Sequence, residues 1–164
     1  MLHLVVLASA LAIAVVTDVR TRRIPNWLTG SLAVAGLGMA CAGGGLSPGQ
    51  AALGLLAGFL LMMPAHLIGA TGAGDVKLMA AIGAVVGPGL TLRAFLFTAV
   101  AGGVFAVAVA ARRGRLADTL YGTTQLVTSP ATARQTIEAS DRSNRFAYGP
   151  AIAVGTLLAL MVKS

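Results

Sequence analysis

The stretch IGATGAGDVKLMAAIG spans Ile68 to Gly83 and separates a long apolar run from a shorter one. It places one acid, Asp75, and one base, Lys77, at the start of the shorter run, directly after a cluster of small residues. An acid at the boundary of an apolar segment indicates either a functional site or a carboxylate that caps a helix at the interface. The choice between these interpretations depends on what the rest of the chain does.

The composition is that of an integral membrane protein. Of the 164 residues, 57% are hydrophobic and 10% are charged, and the mean hydropathy is +0.86. This length allows a single membrane domain over residues 1–164. The net charge of +7 does not indicate nucleic-acid binding, because aromatic residues are only 5% of the chain and the charges form short clusters between apolar runs. We also expect no metal or cofactor, since Cys41, His3 and His66 form no ligand-like spacing.

Six apolar stretches predict an all-α polytopic protein with about six transmembrane helices. They are Leu2–Thr17, Trp27–Ala42, Ala51–Ile68, Val76–Val86, Leu90–Ala111 and Phe146–Val162. We expect the first to be a retained helix rather than a signal peptide, because no basic region precedes it. Val76–Val86 is short for a span of about 20 residues. It is expected either to continue past Gly87 with a kink at Pro88 or to lie in a thinned part of the protein.

The distribution of positive charge predicts the orientation. With six alternating spans, ten of the twelve Lys and Arg residues fall on one side, which the positive-inside rule identifies as cytoplasmic. These are Arg20, Arg22, Arg23, Lys77, Arg112, Arg113, Arg115, Arg134, Arg142 and Arg145, and the two on the other side are Arg93 and Lys163. Both termini are then outside, and residues 112–145 form a polar cytoplasmic loop between the fifth and sixth helices.

Two of the five acids lie at the same membrane interface in this topology. Asp18 ends the first apolar run and Asp75 begins the fourth, whereas the others lie in the polar loop: Asp118, Glu138 and Asp141. Two neighbouring carboxylates can hydrolyse a peptide, because one activates water while the other, protonated, polarises the carbonyl group. Such a pair titrates as a unit, so neither Asp is assigned a separate role as acid or base.

The residues around the two acids suit a substrate site. Gly72 and Gly74 have no side chains, so an extended substrate backbone can approach Asp75 closely. After Asp18 the chain reads DVRTRRIPN, where Pro25 can start the second helix and Asn26 lies beside the interfacial Trp27.

Taken in order, D…RRIPN, GAGDVKL and the ending FAYGPAIAVGTLLAL resemble the type IV prepilin peptidases, membrane aspartic proteases of the GxGD type. The resemblance implies that Asp18 and Asp75 are the catalytic pair. It also implies a pilin precursor as substrate, cut after its short leader at the cytoplasmic face of the bacterial inner membrane, with the lipid bilayer and the pilus assembly machinery as partners. Lys77 then either tunes the pair or positions the substrate, or it is a topological anchor.

One departure from the larger members of that family is clear. They carry a cytoplasmic insertion with paired CxxC motifs after the first helix and also methylate the new N-terminus, whereas here only Val19–Asn26 separates the first two helices. We therefore expect peptidase activity without methyl transfer. The small size is similar to the minimal peptidases of tight-adherence (Flp-type) pilus systems.

Two other functions remain open at this point. A small transporter or proton channel could use Asp18 and Asp75 as a relay, although transport sites normally lie near the bilayer midplane. A non-catalytic pilus assembly component would tolerate the loss of either Asp.

Overall fold

The structure, a computed structural model, describes residues 2–43, 45–112 and 148–162. Within these residues it contains six α-helices and no strand, which confirms the all-helical prediction. The helices are α1 (Leu2–Thr21), α2 (Asn26–Cys41), α3 (Pro48–Leu67), α4 (Ala73–Val86), α5 (Pro88–Arg112) and α6 (Gly149–Met161). Beyond Arg112, the predicted loop 112–145 lies outside the described residues, as do its three acids.

Local sequence signals explain several helix boundaries. Ser47 caps α3, because its hydroxyl accepts from the amide of Gln50 at 3.2 Å and its own amide donates to the Gln50 side chain at 3.1 Å. Helix α1 runs past Thr17 to Thr21, and it ends where Arg22 has a φ of 52° and donates its amide to the Asp18 carbonyl at 2.8 Å. Asp18 therefore lies in the last turn of α1 rather than after the helix.

Helices α4 and α5 are separate elements. Gly87 follows α4 with a φ of 80°, in the left-handed region that favours glycine, and Pro88 begins α5. Two arrangements were open for the fourth helix, and its continuation through Pro88 is wrong. The positive φ of Gly87 ends α4 before α5 begins.

Three of the described helices are long and apolar enough to cross a membrane by length and composition. They are α1 over His3–Thr21, α3 over Pro48–Leu67 and α5 over Pro88–Ala108. Their outward faces carry exposed aliphatic side chains, such as Val5, Leu53 and Val100. A row of exposed aliphatic groups on long helices is expected where the solvent is lipid. These helices indicate a membrane protein.

Helix α4 has 14 residues and is the most enclosed element of the described bundle. Nearly all of its side chains from Asp75 to Val85 are buried, mainly against α3 and α2. Glycines allow this close packing: a Cβ atom added to Gly58 of α3 would lie 2.7 Å from the Met79 carbonyl carbon, and one added to Gly36 of α2 would lie 2.8 Å from that of Ala84. Helix α4 is thus enclosed mainly by other helices. This enclosure explains how a helix shorter than those around it can lie within the membrane domain.

Helices α5 and α6 form the second extensive contact of the described bundle. Gly155 of α6 lies against Thr98 of α5, where an added Cβ atom would come within 2.7 Å of the Thr98 Cα. Helix α6 also packs against α1. This arrangement brings the N-terminus of α6 to the end of α1 that carries Asp18.

Candidate active site

Asp18 is a buried carboxylate held by the start of another helix. It is 5% exposed, and its Oδ2 atom accepts a hydrogen bond from the Gly149 amide at 2.7 Å. Gly149 is the first residue of α6, where backbone amides have no partner within the helix and the helix dipole favours negative charge. A Cβ atom at position 149 would lie 2.7 Å from Oδ2 of Asp18, so this contact requires glycine.

Asp75 is held by its own helix. It is the third residue of α4, is 7% exposed, and accepts a hydrogen bond at Oδ2 from the Gly72 amide at 2.9 Å. The Asp75 amide donates in turn to the Gly72 carbonyl at 3.1 Å. Asp75 therefore makes the hydrogen bond of a helix-capping acid. Capping alone does not require a buried side chain, yet Asp75 is buried. Asp75 combines a capping contact with enclosure by the bundle.

The fold brings the two carboxylates together. Asp18 is near enough to Asp75 for its charge to act on the Asp75 carboxyl group. The last turn of α1 and the first turn of α4 therefore meet at the same end of the bundle. His66 and Tyr148 also interact electrostatically with Asp75.

The two glycines of the GAGD segment have different neighbours. A Cβ atom at Gly74 would lie 3.1 Å from the Ile24 Cβ, so the RRIPN segment, and not an approaching substrate, occupies the space beside Gly74. At Gly72 an added Cβ would lie 3.3 Å from Oδ2 of Asp75. The absence of a side chain at Gly72 thus leaves room for the Asp75 carboxylate to accept from the Gly72 amide. The absence of a side chain at Gly74 lets the GAGD segment pack directly on the RRIPN segment.

Lys77 and Asn26 link the same two motifs. The Lys77 ammonium donates to the Asn26 side-chain oxygen at 2.9 Å, which joins α4 to the first residue of α2. Pro25 precedes α2 rather than lying in its first turn, and its carbonyl accepts from the Leu28 amide at 3.1 Å. Lys77 follows Asp75 by about 200° around the helix, so its side chain leaves α4 on a different face. The structure thus gives Lys77 a connecting contact to the segment that follows Asp18.

Sequence reasoning missed three residues of this site: His66, Tyr148 and Gly149. The Nδ1 atom of His66 lies 3.0 Å from the Thr71 carbonyl oxygen, in the turn that leads to Asp75. Tyr148 precedes α6, and its hydroxyl lies over Gly102 of α5, where an added Cβ would come within 2.5 Å of it. A usable signal existed for His66, because it lies only nine positions before Asp75.

Among residues 2–43, 45–112 and 148–162, no three His, Cys, Asp or Glu side chains form a group that could hold a metal ion.

A family model described as the type IV leader peptidase family matches residues 5–107, which include Asp18, Asp75 and both flanking motifs. No curated protein and no solved structure gives a match to the chain.

Proposed function

The chain belongs to the type IV leader peptidase family, and on that premise we propose that it is a membrane-embedded aspartic endopeptidase that removes the short leader from type IV prepilins. Asp18 and Asp75 are the catalytic pair in this proposal. The observation that carries it is that two buried carboxyl groups from distant parts of the chain lie near enough to interact electrostatically, and one oxygen of each accepts a hydrogen bond from a backbone amide.

This arrangement suits hydrolysis by a shared proton. Two close carboxyl groups do not ionise together easily, so the pair holds one proton between them. The Gly149 and Gly72 amides each bind one oxygen, Oδ2, of these groups, and in this proposal the second oxygens act on water and substrate. The ionised member removes a proton from water, the water oxygen bonds to the scissile carbonyl carbon, and the protonated member donates to the carbonyl oxygen. The carboxyl group that took the proton from water then gives it to the amide nitrogen as the C–N bond breaks, and the other carboxylate takes back a proton from the hydroxyl group that becomes the new carboxyl group.

The position of the pair supports action at the cytoplasmic face. Arg20 lies in the last turn of α1 with Asp18, Arg22 and Arg23 directly follow that helix, and the positive-inside rule assigns such a cluster to the cytoplasm. In the bacterial inner membrane, six spans with both termini outside and a cytoplasmic loop between α5 and α6 complete this topology. A prepilin whose leader lies in the cytoplasm and whose hydrophobic helix lies in the bilayer would then present its cleavage site at the pair.

The short connection between α1 and α2 supports a narrower assignment. Only Arg22 to Pro25 separate these helices, which leaves no room for a zinc-held domain at that point. We therefore assign the peptidase to the minimal, Flp-like group and expect no methyl transfer.

The transporter and scaffold alternatives have less support. A transport relay normally lies near the bilayer midplane on broken helices, whereas Asp18 lies in the last turn of α1 and Asp75 in the first turn of α4. A scaffold would have no need for two buried carboxylates at one point.

The test is cleavage of a precursor peptide that spans a leader and the following hydrophobic helix. The purified protein, reconstituted in nanodiscs, should release the leader, and mass spectrometry should identify a single cleavage site. Loss of cleavage in both Asp18→Asn and Asp75→Asn would support the aspartic mechanism. Cleavage by either variant at the wild-type rate would exclude it.

A further inference from the structure

His66 lies in the last turn of α3 and contacts the turn that leads to α4. Its Nδ1 atom is 3.0 Å from the carbonyl oxygen of Thr71. A carbonyl oxygen can only accept a hydrogen bond, so this contact requires the proton on Nδ1. Nδ1 is therefore the donor in this hydrogen bond and the Thr71 carbonyl oxygen is the acceptor.

The amide of the same peptide group contacts the catalytic carboxyl. Thr71 and Gly72 share one planar peptide unit, whose oxygen faces His66 and whose N–H donates to Oδ2 of Asp75 at 2.9 Å. A donor on the carbonyl oxygen draws electron density from the nitrogen, which makes the N–H a stronger donor. A single peptide group thus connects the imidazole with Asp75.

The local backbone holds this peptide group in place. Gly69 has a φ of 80°, and the amides of Ala70 and Thr71 both donate to the Ala65 carbonyl, at 2.9 Å and 3.3 Å. These contacts turn the chain at the end of α3 so that the Thr71 carbonyl faces back toward His66.

We propose that His66 is a positioning residue of the peptidase, which donates through Nδ1 to the Thr71 carbonyl and thereby fixes the Gly72 amide that orients the Asp75 carboxylate. The effect on cleavage rests on the proposed function, whereas the effect on the peptide group does not. His66 touches neither water nor substrate in this role.

Replacing the donor tests the effect on cleavage. In His66→Leu, kcat should fall by about tenfold, the rate equivalent of roughly one hydrogen bond, while KM changes little. His66→Asn places an amide nitrogen near the position of Nδ1 and should restore most of the lost rate. His3→Leu and His3→Asn are matched controls, because His3 lies in α1 about 22 Å along the helix from Asp18. Unchanged kcat in His66→Leu, or equal loss in the Asn and Leu variants, would overturn the proposal.

A second measurement does not depend on cleavage. Labelling Thr at its carbonyl carbon with ¹³C and Gly with ¹⁵N selects two peptide groups of the chain, Thr29–Gly30 and Thr71–Gly72. The Gly72 amide proton should move upfield in His66→Leu and return in His66→Asn, with Gly30 as the internal reference. A Gly72 signal that does not respond to His66→Leu would overturn the relay even in an active enzyme. A responsive Gly72 in a protein that cleaves no precursor would instead support the relay and contradict the proposed function.

Discussion

The contact between Gly149 and Asp18 makes the sharpest test of the candidate site. In Gly149→Ala, the new methyl carbon would lie 2.7 Å from Oδ2 of Asp18 and 3.0 Å from its Cβ. Ordinary contact begins near 3.4 Å, so the carboxyl group must move by roughly 0.7 Å. The same movement can lengthen the 2.7 Å hydrogen bond from the Gly149 amide to at most roughly 3.4 Å, beyond the usual range for such bonds.

The expected loss follows from that bond. A hydrogen bond to a charged group contributes about 1.5–3 kcal/mol. If Asp18 acts only when it is held in this position, kcat should fall by roughly 10- to 150-fold, with little change in KM. Gly149 does not have a left-handed φ, so the substitution acts through the added methyl group and not through backbone strain.

The assay is steady-state cleavage of the precursor peptide by protein that elutes as a single folded species. Gly103→Ala is the matched control, because a Cβ atom there meets nothing within 4 Å and alanine is the better helix former. The control should cleave at or near the wild-type rate. If Gly149→Ala also did so while remaining folded, the contact with α6 would have no part in catalysis and our reasoning on Asp18 would be refuted.

Three further predictions follow from the pair, the topology and the short connection between α1 and α2. Asp18→Asn or Asp75→Asn should reduce cleavage by a factor on the order of 10⁴ or more with normal accumulation, and the double variant should be little worse, since members of a catalytic unit are not additive. At least about a tenth of the activity, a change of ~1.4 kcal/mol, should remain in the loop controls Asp118→Asn, Glu138→Gln and Asp141→Asn. A reporter fused to the C-terminus should lie outside and one in loop 112–145 in the cytoplasm; a cytoplasmic C-terminus would imply an odd number of crossings. Mass spectrometry of pilin cleaved by the purified protein with a methyl donor present should find an unmethylated N-terminus, and a methylated product would contradict the minimal assignment.

Apolar runs predicted the helices well but their ends poorly. The first apolar run stops at Thr17, yet α1 continues to Thr21, because the amides of the polar residues that follow still find carbonyl groups one turn back. The fourth run matched α4 at Val86, where glycine and proline leave little choice. Hydropathy could not reveal that α4 is enclosed by protein, since a buried helix and a lipid-facing helix are equally apolar.

The two acids could be identified from the sequence. Of the two backbone amides that bind them, only one follows from a local sequence pattern. Asp75 is held by Gly72, three positions earlier, and an acid in the first turn of a helix is a local pattern. Asp18 is held by Gly149, which is distant in sequence and unrelated to it by any local spacing. Only the packing of α6 against α1 and α5 creates that contact.

The hydrogen bond that holds Asp18 depends on the packing of α6, because its donor is the first residue of that helix. The family match ends at residue 107, so it includes both acids but not the amide that holds Asp18. Helix α6 reaches Asp18 because Gly155 allows it to lie against the backbone of Thr98. A side chain at position 155 would push α6 away from α5 and withdraw the Gly149 amide from Asp18, while the bond between Gly72 and Asp75 would remain. The two carboxyl groups of the proposed pair are therefore held by different parts of the chain: Asp75 by the Gly72 amide just before its own helix, and Asp18 by the Gly149 amide at the start of α6.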